Sequence, residues 1–239
     1  MDTLARYIDH TLLKPTATHM EIEKICADVL EYGFAAACVP PPWVSLSHRL
    51  GVRTATVIGF PFGYATAAAK LAEAEKAVAD GADELDVMIN LILLKDRNYE
   101  GLVTEMDELV DRAHATGKIV KVIIESGILT NEEIITCCEL YAPLGVDFLK
   151  TSTGYAERGA TVEAVRLMRA SLPAAVGIKA AGGIREAAFA RELIAAGAGR
   201  LGCSASVAII RQDSSAPEPQ RPGNGRAGAA ESHGAANYY

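Results

Sequence analysis

Two lysines lie near the ends of consecutive predicted strands: Lys150 in VDFLKTSTG and Lys179 in AVGIKAAGGIR. Neighbouring strands lie about 4.8 Å apart, so two lysines at equal height would bring their ammonium groups to roughly 5 Å. At an effective dielectric constant of about 20, a repulsion of about 3 kcal/mol would lower one pKa from about 10.4 to about 8. Burial would lower that pKa further. A neutral amine is a nucleophile for carbonyl carbon, which predicts Schiff-base chemistry here.

The residues that follow each lysine suggest which one attacks. Lys150 is followed by Thr-Ser-Thr, whose hydroxyl groups can carry protons, whereas Lys179 is followed by Ala-Ala-Gly-Gly. We therefore assign Lys150 as the nucleophile and Lys179 as the charged neighbour that lowers its pKa. The spacing alone is also compatible with the reverse order.

Three further charged residues interrupt apolar strand patterns: Asp86, Lys121 and Asp9. Unpaired charge is costly in a core, so each needs a partner or a function. Asp86 shares its strand face with Met88 and Asn90, which predicts a carboxylate that enters the pocket and acts as acid and base through a water molecule. Lys121, on the next strand, and Asp9 are predicted supporting residues. A purely structural Asp86–Lys121 ion pair stays open as an alternative, as does an outward orientation of Lys121 or Asp9.

Glycine-containing loops follow the last three predicted strands, and they predict a phosphate site. In a barrel of alternating strands and helices, the loops after strands 7 and 8 and a helix N-terminus are the usual place for phosphate. Glycine lets backbone N–H groups approach the phosphate oxygens, and an arginine adds positive charge. The predicted substrate- and phosphate-binding residues are Gly154, Gly182, Gly183, Arg185, Gly202 and Ser204.

The pattern that positions these residues is a repeated alternation of short β-rich runs and helical segments. Thr18-x-x-Glu21 and Thr130-x-x-Glu133 are typical capping boxes at helix starts. Apolar residues at 102, 106, 109, 110 and 113 form one face of an amphipathic helix. The predicted strands are residues 7–11, 35–39, 54–59, 84–90, 119–125, 147–151, 175–180 and 199–203.

Eight such units predict an α/β protein in which a parallel sheet closes into a (β/α)8 TIM barrel. An open doubly wound sheet is the alternative, but it should carry a glycine-rich turn after its first strand, where this chain reads His-Thr-Leu-Leu-Lys-Pro. We predict a barrel domain over residues 1–211 and a disordered tail over residues 212–239. The tail contains no Val, Ile, Leu, Met, Phe or Trp, so it has little to bury.

Composition narrows the function classes. The chain has 239 residues, half of them hydrophobic, which suits a sizeable core. Its formal net charge of −7 argues against a nucleic acid or an anionic membrane as partner. No apolar run is long enough for a membrane span, the N-terminus lacks a signal-peptide pattern, and the five cysteines show no disulfide or zinc spacing. We expect a cytoplasmic protein that uses no metal or other cofactor and acts on a small molecule.

Seven stretches, in order over about residues 7–210, carry a resemblance: IDHTLLKP, TVIGFPFG, DGADELDVMIN, KVIIESGILTNEE, DFLKTSTG, GIKAAGGIR and RLGCS. On these stretches the chain resembles the deoxyribose-phosphate aldolase family in its shorter bacterial form. The resemblance implies a (β/α)8 barrel and a metal-free class I aldolase. It also implies reversible cleavage of the sugar phosphate 2-deoxy-D-ribose 5-phosphate into D-glyceraldehyde 3-phosphate and acetaldehyde.

The same resemblance implies roles for individual residues. The family's Schiff-base lysine falls on Lys150, its second catalytic lysine on Lys179 and its proton-relay aspartate on Asp86. The implied phosphate-binding residues are Gly182, Gly183, Arg185 and Ser204.

One departure from the family pattern and one further likeness to some relatives concern the site. The last phosphate loop has Cys203 and Ala205 where relatives frequently have hydroxyl residues, which predicts weaker phosphate affinity. The tail ends in Tyr238 and Tyr239 and is long enough to reach the barrel mouth. If a terminal tyrosine enters the site, as in some relatives, deleting both should lower the turnover rate.

Two other function classes stay open. One is a phosphate-binding barrel isomerase or epimerase, and the other is a non-catalytic sugar-phosphate sensor. Neither needs paired lysines at strand ends, so inactivation by borohydride only in the presence of a carbonyl substrate would distinguish the aldolase. The sequence also leaves open whether the chain forms a homo-oligomer.

Overall fold

The computed structural model describes residues 3–213, and within this range eight parallel strands close into a barrel. The strands are β1 (Ile8–Thr11), β2 (Ala36–Val39), β3 (Thr54–Ile58), β4 (Glu84–Met88), β5 (Ile119–Ile123), β6 (Phe148–Lys150), β7 (Gly177–Ala181) and β8 (Arg200–Cys203). Each strand pairs with the next in chain order, and β8 returns to β1 with Gly202 opposite Asp9. The predicted (β/α)8 class is confirmed.

Helices connect successive strands and surround the barrel. They are α1 (His19–Tyr32), α2 (Val44–Arg49), α3 (Ala67–Ala79), α4 (Leu91–Lys95), α5 (Tyr99–Ala115), α6 (Asn131–Tyr141), α7 (Val162–Ser171), α8 (Ala187–Ala195) and α9 (Ser206–Gln212). Short 3-10 turns lie at Leu4–Tyr7, Pro41–Trp43, Ser126–Ile128 and Ala142–Leu144. None of the helices within residues 3–213 is long and apolar enough to cross a membrane.

Local sequence signals explain where several helices begin and end. At the start of α6, the Thr130 hydroxyl accepts from the Glu133 N–H at 3.2 Å, and the Glu133 carboxylate accepts from the Thr130 N–H at 2.8 Å. This is the predicted capping box, which satisfies two amide groups that the first helical turn leaves unpaired. Helix α1 ends at Gly33, whose φ of 69° terminates the helix in a left-handed conformation that glycine adopts without strain.

The two faces of the barrel wall have different compositions. Along β4, Leu85 and Val87 belong to the large apolar core that lies between strands and helices. Glu84 and Asp86 alternate with them and contact charged residues of other strands inside the barrel. The amphipathic face predicted for α5 is buried in the same apolar core. Strand alternation therefore separates an apolar outer layer from a charged interior.

At the C-terminal end of the described chain, α9 extends to Gln212, and Asp213 is buried against Arg191 of α8. These two residues thus continue the barrel. The disordered tail predicted for residues 212–239, including Tyr238 and Tyr239, otherwise lies outside the described residues.

Candidate active site

Lys150 and Lys179 lie side by side in the barrel interior, as the sequence predicts. The two residues are direct partners in the β6–β7 register, and both are buried. Each Nζ donates a hydrogen bond of 2.7 Å to the same oxygen, Oδ2 of Asp86. Two cations therefore share one carboxylate oxygen that comes from β4, two strands away from β6.

The two lysines differ in how many carboxylates they contact. Lys179 also lies 2.5 Å from Oδ2 of Asp9 on β1, whereas Lys150 has Asp86 as its acidic contact. Burial lowers the pKa of Lys179, but Asp86 and Asp9 together outweigh it and raise that pKa above its usual value. For Lys150, burial prevails over the attraction of Asp86, and the pKa is lowered. Lys179 thus stays charged, and Lys150 is the lysine that more readily becomes a neutral amine.

The cause of the lowered Lys150 pKa differs from the one that the sequence predicts. We expect from spacing that repulsion by Lys179 dominates. In the structure, loss of hydration on burial is the largest effect, and repulsion by Lys179 is smaller. Both ammonium groups donate to Oδ2 of Asp86, and the attraction of Asp86 for Lys150 also exceeds the repulsion by Lys179.

Asp86 is surrounded by three ammonium groups. Its Oδ1 accepts from Nζ of Lys121 at 2.7 Å, while its Oδ2 accepts from Lys150 and Lys179. Burial raises the pKa of this carboxyl, but the three lysines outweigh burial and hold the pKa well below its usual value. The sequence leaves open whether Asp86 pairs with Lys121 or enters the lysine site. In the structure Asp86 does both.

Two charged interior residues are absent from the sequence predictions. Glu84, two residues before Asp86 on the same face of β4, lies 2.6 Å from Nζ of Lys121. Arg200, the first residue of β8, reaches Asp9 at 2.6 Å and Glu84 at 3.0 Å. Strand alternation could have found both, because they share a face with residues already assigned to the interior.

Seven interior side chains form what we call the interior ion cluster. It contains four bases and three acids, so its formal charge is not balanced. Loss of one proton from Lys150 brings the seven-residue cluster to neutrality. This loss is favoured because uncompensated charge is costly away from water. Arg53, the half-exposed residue before β3, pairs with Glu84 at 2.5 Å from outside the cluster. The cluster consists of Asp9, Glu84, Asp86, Lys121, Lys150, Lys179 and Arg200.

A cavity of about 360 Å³ opens at the C-terminal ends of β1, β6, β7 and β8. Of the interior ion cluster, Lys150 lines this cavity, whereas Lys179 and Asp86 are buried behind it. The cavity lining also includes all six predicted phosphate-binding residues: Gly154, Gly182, Gly183, Arg185, Gly202 and Ser204. The structure therefore brings the predicted nucleophile and the predicted phosphate loops to one space.

The loop after β7 presents backbone donors to this cavity. Gly182 and Gly183 both have positive φ, 89° and 78°, which only glycine adopts readily. Within residues 3–213, none of the amides of residues 182–185 donates to another protein group. Unpaired N–H groups need an acceptor from solvent or a ligand, and phosphate oxygens are suitable acceptors.

The charge of the cavity lining is opposite to that of the whole chain. Lys14, Lys150 and Arg185 line the cavity, and none of its lining residues within the described range is acidic. The chain as a whole carries −7, so an anionic substrate meets a local positive field there. Lys14 and Tyr155, on the loops after β1 and β6, are not among the sequence predictions. Their place after barrel strands is the signal that could have identified them.

The expected effect of Cys203 and Ala205 on phosphate affinity has no support in the structure. Neither residue lines the cavity. Cys203 is buried in the apolar outer layer, where burial raises the pKa of its thiol to about 12. Because Cys203 alternates with the inward Gly202, a hydroxyl in its place would also point away from the cavity.

Glu125 supports the loop that follows Lys150. It is buried directly after β5 and has a left-handed backbone conformation, with a φ of 58°, which is uncommon for a non-glycine residue. Its carboxylate accepts from the N–H of Thr153 at 3.2 Å and also from the Thr153 hydroxyl. Burial raises the pKa of Glu125. The contact fixes Thr153, which lines the cavity three residues beyond Lys150.

Comparison with known proteins agrees with this geometry. A family model described as DeoC/LacD family aldolase matches residues 3–212. The chain is 49% identical over 213 residues to the deoxyribose-phosphate aldolase of Thermococcus kodakarensis, covering 87% of this chain and 95% of that protein. It is 46% identical over 211 residues to the deoxyribose-phosphate aldolase of Lactiplantibacillus plantarum, covering 87% and 98%. A solved deoxyribose phosphate aldolase from Aeropyrum pernix, described as tetrameric, matches with a TM-score of 0.82 and 34% identity over 89% of this chain and 91% of that one.

Proposed function

Since the chain belongs to the DeoC/LacD aldolase family, we propose that it cleaves 2-deoxy-D-ribose 5-phosphate reversibly into D-glyceraldehyde 3-phosphate and acetaldehyde. The observation that carries this proposal is the position of Lys150. It is the member of the interior ion cluster that reaches the cavity, and its pKa is lowered while that of Lys179 is raised. A Schiff-base aldolase needs one accessible neutral amine beside a permanent positive charge.

Bond formation begins at the aldehyde carbon of the open-chain sugar. The neutral Nζ of Lys150 attacks this carbon, water leaves, and a protonated imine forms. The positive imine nitrogen then draws electrons from the bond between C2 and C3 of the sugar. That bond breaks as the C3 hydroxyl passes its proton to a water molecule, which leaves an enamine on Lys150 and releases glyceraldehyde 3-phosphate. Protonation of the enamine carbon and addition of water release acetaldehyde and restore the amine.

Asp86 and Lys179 have different tasks in this proposal. Asp86 accepts a hydrogen bond from Nζ of Lys150 at 2.7 Å, so it holds this amine in place and passes the proton that Lys150 loses to a water molecule and on to solvent. Its low pKa keeps it ionised until the charge on Lys150 changes. Lys179 stays positive, and it offsets the carboxylate charge that would otherwise hold the proton on Lys150.

The phosphate group is assigned to the loops after β6, β7 and β8. Residues 182–185, whose amides donate to no group within residues 3–213, line the same cavity as Lys150, together with Ser204. Phosphate held there would place the sugar between its anionic end and the nucleophile. Binding energy from this non-reacting group would help to orient the aldehyde for attack.

We also place this enzyme in the cytoplasm, as the composition predicts. All five cysteines are free and buried, which suits a reducing compartment. Cell fractionation with an antibody against the chain tests this placement. Because a relative from Aeropyrum pernix is described as tetrameric, we propose self-association of this chain as well, which sedimentation analysis would measure.

The covalent step is tested by intact-mass spectrometry after incubation with acetaldehyde and borohydride. We expect one added ethyl group on the wild type, mapped to Lys150, and none on Lys150→Ala. Lys76→Ala is the matched control, because Lys76 is an exposed lysine of α3 that pairs with Asp80. An adduct that persists in Lys150→Ala would overturn the assignment. No adduct on any variant would favour the isomerase or sensor class instead.

A further inference from the structure

Lys14 is a positively charged residue that lines the cavity but does not belong to the predicted phosphate loops. It lies on the loop after β1, which is far in sequence from the glycine loop of residues 182–185. Because β1 pairs with β8 and β8 with β7, both loops line the same cavity. The proposed phosphate loops supply one exposed cation, Arg185, which has no ion pair within the described residues. Lys14 adds a second cation at the mouth, and none of the described lining residues is a carboxylate that would neutralise it.

In the structure, Lys14 is held by a single acidic partner outside the cavity. Its Nζ donates to Oε1 of Glu21 at 2.5 Å, and both side chains are nearly half exposed. The other oxygen of Glu21 accepts from the N–H of Thr18 in the capping box of α1. The contact with Lys14 and these bonds lower the pKa of Glu21 to about 2. Exposed ion pairs of this kind are weak, so an incoming dianion can compete for Lys14.

Tyr155 connects the Lys14 loop to the loop that follows Lys150. Its hydroxyl donates a hydrogen bond of 2.9 Å to the carbonyl of Leu13, the residue before Lys14. Its ring packs edge-on against Phe60 at 5.5 Å between centroids, and it lines the cavity although half of its surface is exposed. The contact spans 142 residues of sequence, and it fixes the β1 loop at the cavity mouth.

We propose that Lys14 is a second cationic ligand of the substrate phosphate, and that Tyr155 positions it by binding Leu13. The proposal rests on the proposed function and extends it, since it assigns the specificity for a phosphorylated sugar to the loop after β1 as well as to the loops after β7 and β8. Glu21 holds Lys14 in the absence of substrate and releases it when phosphate binds.

The test compares kcat/KM for 2-deoxyribose 5-phosphate and for unphosphorylated 2-deoxyribose. Loss of one charge-assisted contact in Lys14→Met should lower kcat/KM for the phosphorylated sugar by about 10- to 100-fold. The change for deoxyribose should stay within about 3-fold, because the lost contact involves phosphate only. Lys24→Met is the matched control: Lys24 lies on α1, pairs with Asp28 and does not line the cavity. It should leave both values unchanged.

Two further variants separate charge from loop structure. Glu21→Gln keeps a capping-box residue but removes the charge that holds Lys14, so KM for the phosphorylated sugar should fall by about 2- to 5-fold. Tyr155→Phe keeps the ring and removes the hydrogen bond to Leu13, so KM for that sugar should rise by about 3- to 10-fold with kcat nearly unchanged.

The outcomes distinguish this proposal from the proposed function. If the wild type forms no borohydride adduct and cleaves neither sugar, the aldolase assignment fails, and the affinity for inorganic phosphate of wild type and Lys14→Met, measured by calorimetry, then tests Lys14 alone. Equal losses on both sugars in Lys14→Met, or no loss on either, would overturn the role of Lys14. A rise of KM in Glu21→Gln would contradict the exchange of Glu21 for phosphate.

Discussion

Leu149 and Lys150 are adjacent in β6, and both are buried, but they belong to different regions of the molecule. Leu149 lies in the apolar outer layer between strands and helices. Lys150 lies in the interior ion cluster and reaches the cavity. The same division separates Leu85 from Asp86 and Ile178 from Lys179, because successive side chains of a strand point to opposite faces.

The two regions contribute differently to the free energy of folding. Each large apolar side chain buried in the outer layer contributes about 1.5–3 kcal/mol. Buried ion pairs contribute little net stability, because desolvation offsets much of their attraction. The β2–β3 side of the interior is filled by small residues, Ala36, Cys38 and Ala55, which leaves room for the long charged side chains opposite. The outer layer therefore stabilises the barrel, whereas the interior carries the groups that do the chemistry.

The largest expected effect is the loss of activity in Lys150→Met. Removal of the nucleophile should lower kcat/KM by about 10⁴-fold or more. The thermal midpoint should stay the same or rise, because methionine fills similar space and the variant leaves a neutral cluster. Kinetics at one pH and a thermal scan together measure this contrast. Retained activity would contradict the assignment of Lys150, and a large drop in the midpoint would contradict the division between the two regions.

The neighbouring substitution, Leu149→Ala, should have the opposite pair of effects. Removing a fully buried leucine side chain costs about 2–5 kcal/mol in the free energy of unfolding, through lost burial and the remaining cavity. Turnover per folded molecule should change little, since the outer layer does not contact substrate. Urea unfolding and kcat at low temperature measure both quantities. A loss of less than about 1 kcal/mol in the free energy of unfolding would contradict the proposal that the outer layer stabilises the barrel.

The sequence predicts the interior well where a contact joins neighbouring strands. The Lys150–Lys179 and Asp86–Lys121 partnerships follow from strand order and equal height, and the register confirms both. Alternation also separates Asp86 from Leu85. These features depend only on the two-residue period and on the order of strands, both of which can be read along the chain.

Contacts between strands that are not neighbours cannot be predicted from strand order and side-chain alternation. Asp9 of β1 meets Lys179 of β7, and Arg200 of β8 meets Glu84 of β4, although neither pair of strands is adjacent. Such contacts depend on how far the closed barrel tilts its strands. They decide which lysine keeps its proton, so the pKa difference between Lys150 and Lys179 needs the structure. The placement of Lys14 beside the glycine loop also depends on closure of the barrel.

A smaller effect is expected for the pH profile of Lys179→Met. Repulsion by Lys179 lowers the pKa of Lys150, so its removal should raise that pKa. Activity requires the neutral amine, and the rise of kcat/KM with pH should therefore move to higher pH, by about one unit. Ile178→Val, one residue away in the outer layer, should leave the profile in place and cost about 0.5–1.5 kcal/mol of stability. A shift to lower pH would overturn the electrostatic role of Lys179.

The smallest expected effect is on the pH dependence of the free energy of unfolding. Asp9, Glu84 and Asp86 have lowered pKa values, so their stabilisation is present above their ordinary values of 3.8 and 4.5 and is lost as pH falls through the folded values.

Lys121 and Lys179 have raised pKa values, so their stabilisation is complete below 10.5 and is lost as pH rises through the folded values. Lys150 acts in the opposite sense, because its lowered pKa makes its ionised form unfavourable until pH approaches 10.5. The three acids should therefore cause a loss of stability at low pH, and Lys121 and Lys179 should cause a loss at high pH. Unfolding midpoints in urea from pH 3 to pH 11 should give parallel curves for wild type and Leu149→Ala, since Leu149 itself does not titrate. Curves that converge at low pH would mean that the two regions are coupled rather than separate.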